Sequence, residues 1–285
     1  MNDVVKYRNE LNTVPLRMFE ESEMNILFAI VAEVKHKSVQ EVTFSFDELR
    51  EQCRYRPSSN ATTLDFVKAL QKTKDKLKKL SYEKITNGGL DIEDITLFPG
   101  FKILGTEKKL IIQVHPEFER IFNEFGIGFT NFNLLEFVTI QSIYAKTIYR
   151  LLKQFRTQGW WQVSLEDFRK LLVIPESYKA SDIDKRVINP TLKQLGGTDE
   201  NAIFKNLKVE KIKKKGRGRG GVLTGYKFTF DKETTTAYVE NKYTKQPKPK
   251  PVKKVETAQI FEDDAVWRKE TPPLPEDQAE VNARI

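Results

Sequence analysis

One cysteine, Cys53, and two histidines, His36 and His115, are all that 285 residues offer in the way of thiolate and imidazole metal ligands. A lone cysteine excludes an intrachain disulfide and a cysteine-built zinc site, fits a reducing compartment, and reads as a small core residue. No apolar run is long enough to span a bilayer, and no charged-then-apolar opening marks a secretion signal, so the expected location is cytoplasmic. The histidines lie far apart, without the His-hydrophobe-His spacing of a metal-dependent nickase. The Walker A pattern is missing, which argues against a nucleotide-driven motor. Acidic residues fall mainly on helix surfaces and toward the C-terminus, with no cluster resembling a two-metal nuclease site. The expectation is a binder without catalytic residues, cofactor or metal.

What the chain does have is positive charge in one place. Its formal net charge is +8. Between Lys205 and Lys227 stand nine Lys or Arg against one acid, Glu210, so this stretch matches the excess of the whole chain. Phe204–Phe230 reads as a strand, a glycine-rich cationic loop and a second strand, with Lys211, Lys213, Lys214, Lys215, Arg217 and Arg219 around the turn. Flanking strands would rigidify that loop, which suits a phosphate backbone better than a role in solubility alone. Gly216, Gly218 and Gly221 fit the spacing of a dinucleotide loop, but that loop needs a helix N-terminus directly after it. Here Tyr226, Phe228 and Phe230 alternate as in a half-buried strand, so nucleotide binding is rejected.

In chain order, residues 1–20 look irregular. A helix follows from Ser22, with Ile26, Leu27, Ile30, Val31 and Val34 on its apolar face. Val42–Phe44 is a short strand, and Ser45 with Glu48 has the capping-box form of a helix start running to about Arg54. The next helix, about Thr63–Leu80, is two-faced: Phe66, Leu70, Thr73, Leu77 and Leu80 share one side, Lys68, Lys72, Lys76 and Lys79 the other. Strands at Tyr82–Thr86, Ile95–Leu104 and Lys109–Val114 follow, then a short helix Pro116–Phe125 and a link at Gly126–Gly128. Helix, strand, helix, basic helix and β-hairpin make a winged helix.

The second half repeats the first. A helix is expected over Leu134–Phe155, a strand over Trp160–Val163, and a helix to Val173. SFDELR at 45–50 and SLEDFR at 164–169 match in character at every position. Each follows a strand-like triplet and precedes a turn with a proline, Pro57 or Pro175, which points to duplication. In the second copy, helix Ser181–Leu195 buries Ile183, Val187, Ile188 and Leu195. Its opposite face carries Asp182, Lys185, Arg186, Asn189 and Lys193, with Lys179 and Ser181 at its start. Arg pairs bidentately with guanine and Asn with adenine, so this face suits base readout in a major groove. Pro190 is expected to kink or restart the helix. In the first copy the candidate contacts are Arg54, Arg56, Ser58, Ser59, Lys68, Lys72 and Lys76, mostly phosphate grips.

The fold class is therefore α+β: two tandem winged-helix domains, 1–130 and 131–236, and a basic then acidic, Pro-rich tail, 237–285, expected to be disordered. NELNTVPL at 9–16, YAKTIYRLLKQF at 144–155, FRKLLVIPESY at 168–178 and RVINP at 186–190 resemble the replication initiators of theta-replicating, iteron-bearing plasmids. The likeness is greatest to those of lactic-acid bacteria and other Gram-positive hosts, and it spans residues 5–230. It implies a bacterial protein that binds double-stranded DNA, with both modules on one face of the duplex and a helix of each in successive major grooves of directly repeated origin DNA. It also implies a monomer in equilibrium with a homodimer, joined mainly through the N-terminal domain. The dimer would bind an operator inverted repeat and repress the initiator's own promoter. Host initiator and replicative helicase are the further partners implied. The residues themselves leave a second reading open: a dimeric winged-helix repressor with no role in replication.

Overall fold

Ser45 and Ser164 end short strands, Glu41–Ser45 and Trp160–Ser164, and each caps the helix that follows, Phe46–Gln52 or Leu165–Leu172. Ser45 Oγ accepts from the Glu48 N–H at 3.2 Å and the Glu48 carboxylate accepts from the Ser45 N–H, which completes a capping box. Ser164 Oγ accepts from the Asp167 N–H at 3.0 Å. Such a cap stabilises a helix by about 1 kcal/mol. Alternation along the two strands turns Val42 and Phe44, and Trp161 and Val163, into the core. The computed structural model describes residues 4–233 apart from 13, 15, 17, 35–40, 56–61, 117–127, 200, 201 and 216–220.

The same topology is built twice. Glu41–Ser45 pairs antiparallel with Lys109–Gln113, which pairs antiparallel with Gly100–Leu104. Trp160–Ser164 pairs antiparallel with Val222–Thr229, which pairs antiparallel with Lys208–Lys214. In both sheets the strand before the capped helix joins the last strand of a hairpin, and the hairpin's other strand lies outside it. With the helices Glu21–Val34 and Thr63–Leu77 in the first half, and Ile143–Gln154 and the Ala180–Leu195 region in the second, these are two winged helices. Among the described residues the first module alone carries an extra antiparallel hairpin, Ser81–Thr86 with Asp91–Thr96, forming a two-stranded sheet of its own.

Several elements differ from the sequence reading, among them the strand expected over Ile95–Leu104, which is two strands, Asp91–Thr96 and Gly100–Leu104, in separate sheets. Val4–Arg8, inside the stretch expected to be irregular, is a strand paired antiparallel with Phe129–Asn133 and buries Val5 and Tyr7. Its partner lies more than a hundred residues away, so no local signal reveals it. The helix expected over 134–155 is two helices, Leu134–Val138 and Ile143–Gln154. Each has its own cap: Asn133 Oδ1 accepts from the Leu135 N–H at 2.7 Å and Ser142 Oγ from the Ala145 N–H at 3.3 Å. The second of them is buried from Tyr144 to Lys153, cations included, instead of presenting one apolar stripe. Its buried neighbours belong to a single core cluster running from Val5 to Phe230. The expected helix Pro116–Phe125 and link Gly126–Gly128 fall almost wholly, and the tail entirely, outside the described residues. Among the described residues no helix is long and apolar enough to cross a membrane.

Candidate nucleic-acid interface

The polar face of the second module's long helix is open to solvent. Ala180–Ile183 is α-helical, Asp184–Ile188 forms a π-type turn, and Asn189–Leu195 continues as α-helix. Ile183, Val187, Ile188, Thr191 and Leu195 are buried, while Ser181, Lys185, Arg186, Asn189 and Lys193 are exposed, as is Lys179 just before the helix. Asp182 is committed locally: its carboxylate accepts from the Lys179 N–H at 3.0 Å, satisfying a donor at the helix start. Pro190 stands in the first turn of the α-helical segment that starts after the π-type turn, so the helix changes form there. The Asn189 N–H reaches back to the Asp184 carbonyl, and Ile188 and Asn189 both keep helical angles. That widened turn makes room for a ring that would strike the carbonyl of an ordinary turn.

The cationic hairpin stands beside this helix. Lys211, Lys213, Lys214 and Lys215 are exposed, and Lys211 is ion-paired with Asp184 of the helix. Arg217 and Arg219 lie outside the described residues. A bulge at Ile212/Lys213 leaves Thr224 as the extra residue of the opposite strand, and its hydroxyl donates to the Ile212 carbonyl at 3.1 Å. A bulge of this kind twists a hairpin along its length. Gly221 closes the turn at φ 65, where a β-carbon would sit 2.9 Å from the Lys214 carbonyl. After it comes the strand Val222–Thr229, so no helix follows the glycines to hold a pyrophosphate.

In the first module the helix Thr63–Leu77 begins at a capping box of Thr62 and Asp65, whose carboxylate accepts from the Thr62 N–H at 2.8 Å. That bond holds the exposed Asp65 carboxyl below its ordinary pKa. Phe66, Leu70, Thr73, Leu77 and Leu80 are buried, on the face the periodicity assigns. Two of the three lysines named for phosphate contact have acidic partners from the N-terminal end of Glu21–Val34. Lys72 bonds Glu20, and Lys76 bonds the buried Glu23. The Lys72 ammonium, above all, lowers the Glu20 pKa. Lys68 and Arg54 are exposed; Arg56, Ser58 and Ser59 lie outside the described residues.

A family model described as "Initiator Replication protein, WH1" matches residues 4–153, and one described as "Initiator Rep protein, WH2" matches residues 164–230. The chain belongs to the initiator Rep protein family. It is 32% identical over 235 residues, 82% of this chain and 74% of the relative, to a probable replication protein Rep of Bifidobacterium longum (strain NCC 2705). Its fold is similar to that of the Pi initiator protein in a crystal structure with iteron DNA. The TM-score is 0.58 at 15% identity, covering 80% of this chain and 97% of that one.

Three exposed lysines of this initiator were not legible as site candidates. Lys102, Lys108 and Lys109 flank the turn of the first module's wing, in the place that Lys213–Lys215 take in the second. They are only three, spread over eight positions with Glu107 among them, and Lys109 lies 3.1 Å from that acid. A charge count over the sequence therefore passes over them.

Proposed function

We propose that the protein initiates plasmid replication by binding directly repeated origin DNA with both winged helices. The observation that carries this reading is the exposed Lys185–Arg186–Asn189–Lys193 face with a lysine-lined wing ion-paired to the same helix. Arg and Asn supply base-edge contacts, each worth about 1–3 kcal/mol of discrimination when bidentate, and the lysines supply phosphate contacts that fix register. Family membership adds weight, as does the iteron complex in which the Pi initiator was crystallised. The first module then grips phosphates with Arg54, Lys68 and the lysines of its wing, while Lys72 and Lys76 exchange carboxylate partners for phosphates.

A dimer that represses its own promoter is part of the proposal. It is supported by the extra hairpin of the first module, where Leu90 is 86% and Ile92 64% exposed. Neither outer strand edge there is paired among the described residues, and such edges invite a partner strand. Recruitment of host initiator and replicative helicase rests on the family resemblance alone.

The test is footprinting of the full chain on the DNA adjoining its gene. The expected result is protection of tandem repeats about two helical turns apart, one turn being about 10–10.5 bp, beside an A·T-rich stretch. The protein supplied in trans should then sustain a plasmid carrying that stretch. Protection of a single inverted repeat, with no replication in trans, would leave only the repressor.

A further inference from the structure

Arg186 projects into solvent from the exposed face of its helix, yet it is not loose. Its Nη1 donates to the Tyr178 hydroxyl at 3.2 Å, and its guanidinium carbon lies 5.0 Å from the centre of the Tyr178 ring. Tyr178 sits in the turn between Leu165–Leu172 and the long helix, half-buried against the core. That turn is held from behind by Arg169, whose Nη1 donates to the Pro175 carbonyl at 3.2 Å and whose Nη2 donates to the Tyr178 carbonyl. Within the turn, the Tyr178 N–H donates to the Pro175 carbonyl at 3.0 Å. At its start, Val173 ends the preceding helix in the left-handed region at φ 47, and the Ile174 N–H donates to the Arg169 carbonyl at 2.9 Å. Side chain and main chain of Arg169 thus fix both ends of the segment that carries Tyr178.

We infer that Tyr178 and Arg169 are positioning residues: Arg169 sets the turn, the turn sets the tyrosine, and the tyrosine holds the Arg186 guanidinium in one plane before DNA arrives. This rests on the reading of the helix as a base reader. A bidentate pair with guanine needs that plane fixed, and a free arginine loses rotamer freedom when it docks. Tyr178 takes part of that loss in the unbound protein, where its ring lies beside the guanidinium charge and its hydroxyl occupies one donor. The other guanidinium donors remain for a base edge. The device therefore acts on sequence discrimination more than on general attraction to DNA.

The experiment uses the full chain and two duplexes of equal length, one enriched by the wild-type protein from a random-sequence pool and one a scramble of it. The readout is the ratio of their affinities by fluorescence anisotropy. Arg186→Ala collapses the ratio. Tyr178→Ala lowers it about two- to tenfold, the range for freeing one rotamer-rich side chain. Tyr178→Phe, which keeps the ring, falls between Tyr178→Ala and wild type. Arg169→Ala follows Tyr178→Ala. In the Arg186→Ala background, Tyr178→Ala changes nothing further, whereas a merely structural defect would add to the loss. A wild-type ratio in Tyr178→Ala beside a collapsed ratio in Arg186→Ala overturns the positioning role and leaves base reading standing. An unchanged ratio in Arg186→Ala overturns both.

Discussion

Arg150 and Tyr7, 143 positions apart, meet in the interior: the guanidinium Nε donates to the tyrosine hydroxyl at 3.1 Å, and Nη2 donates to the Leu11 carbonyl at 2.7 Å. The Tyr7 hydroxyl in turn donates to Asn12 Oδ1 at 2.9 Å, and Asn12 Nδ2 donates to Thr130 at 2.8 Å and Gln154 at 3.0 Å. Arg150 is 1% exposed, and the faces of Phe28 and Tyr7 lie 5.0 and 5.8 Å from its charge. Burial raises the Tyr7 pKa, with Arg150 opposing, so the phenol stays protonated and able to donate. This network fastens the N-terminal strand to the helix Ile143–Gln154.

Removing the centre of that network should be costly. Arg150→Ala leaves the Leu11 carbonyl buried without this donor and opens a cavity, for a loss of about 3–5 kcal/mol. Arg150→Met, which refills the volume, should lose less. Urea unfolding of the three proteins measures both. A loss under about 1 kcal/mol in Arg150→Ala would mean the network is incidental.

Lys146, fully buried one turn earlier, sets a pH dependence. Its Nζ donates to Asn25 Oδ1 and to the Phe137 carbonyl, both at 2.7 Å, with Glu21 at 3.8 Å and the Phe137 ring at 4.2 Å. Burial lowers its pKa from 10.5 to about 7, with Glu21 opposing. The folded protein then holds fewer protons than the unfolded chain between those values, so stability rises with pH across that window. Below pH 7 the cost of burial is present in full. Compared with Lys146→Met, the wild type should gain stability from pH 7 to pH 10, at no more than about 1.4 kcal/mol per pH unit. A difference between the two proteins that does not move with pH counts against the shift.

Local chemistry made the capped helices of both modules readable. The caps at Ser45 and Ser164 are chosen by side chains within three residues, and the buried faces of both long helices follow from spacing alone. What escaped was settled at a distance. The strand at Val4–Arg8 exists because of Phe129–Asn133, and the partners of Lys72 and Lys76 come from Glu20 and Glu23, some fifty positions earlier. Lys146 and Arg150 look like the solvated side of a helix until Asn25 and Tyr7 of the first module meet them, and Lys153 until Glu136 and Glu233 of its own module do. The contact between Tyr178 and Arg186 spans only eight residues, but it depends on a turn that Arg169 holds in place. Cys53 behaves as its isolation predicted: it is buried, and burial pushes its thiol up to about 12.

Gly225 marks where the wing crosses the strand that ends in the Ser164 cap. A β-carbon there would sit 2.4 Å from the Val163 carbonyl, in backbone held by ladder bonds on both sides. Gly225→Ala should therefore cost about 1–3 kcal/mol, the usual range for overpacking. At Gly100 the same substitution would meet chiefly the Gln113 side chain, which can swing away. Thermal unfolding should rank Gly225→Ala well below Gly100→Ala, and equal melting temperatures would show that the sheet yields.

The extra hairpin gives a test of self-association separate from DNA binding. Leu90, in the hairpin turn, and Ile92, on its second strand, are both exposed, next to Asp91 and Glu93. If the hairpin joins two copies, the double substitution Leu90→Lys, Ile92→Lys should shift the population to monomer while the first module stays folded. Sedimentation velocity across a concentration series reads the shift. Unaltered dimerisation would move the interface elsewhere.

The wing is tested best by salt, because a solvated loop and a phosphate clamp have the same charge but different linkage. Each lysine that neutralises a phosphate contributes about 0.9 to the slope of log affinity against log salt on duplex DNA. Lys213, Lys214 and Lys215 stand exposed together on the strand facing Val222–Thr229 and just beyond it. Replacing all three by alanine should flatten the slope by roughly two to three units, and should do so equally on specific and scrambled duplexes. Loss of affinity with an unchanged slope would come from long-range attraction or from a damaged sheet. Circular dichroism of the triple variant separates those two causes.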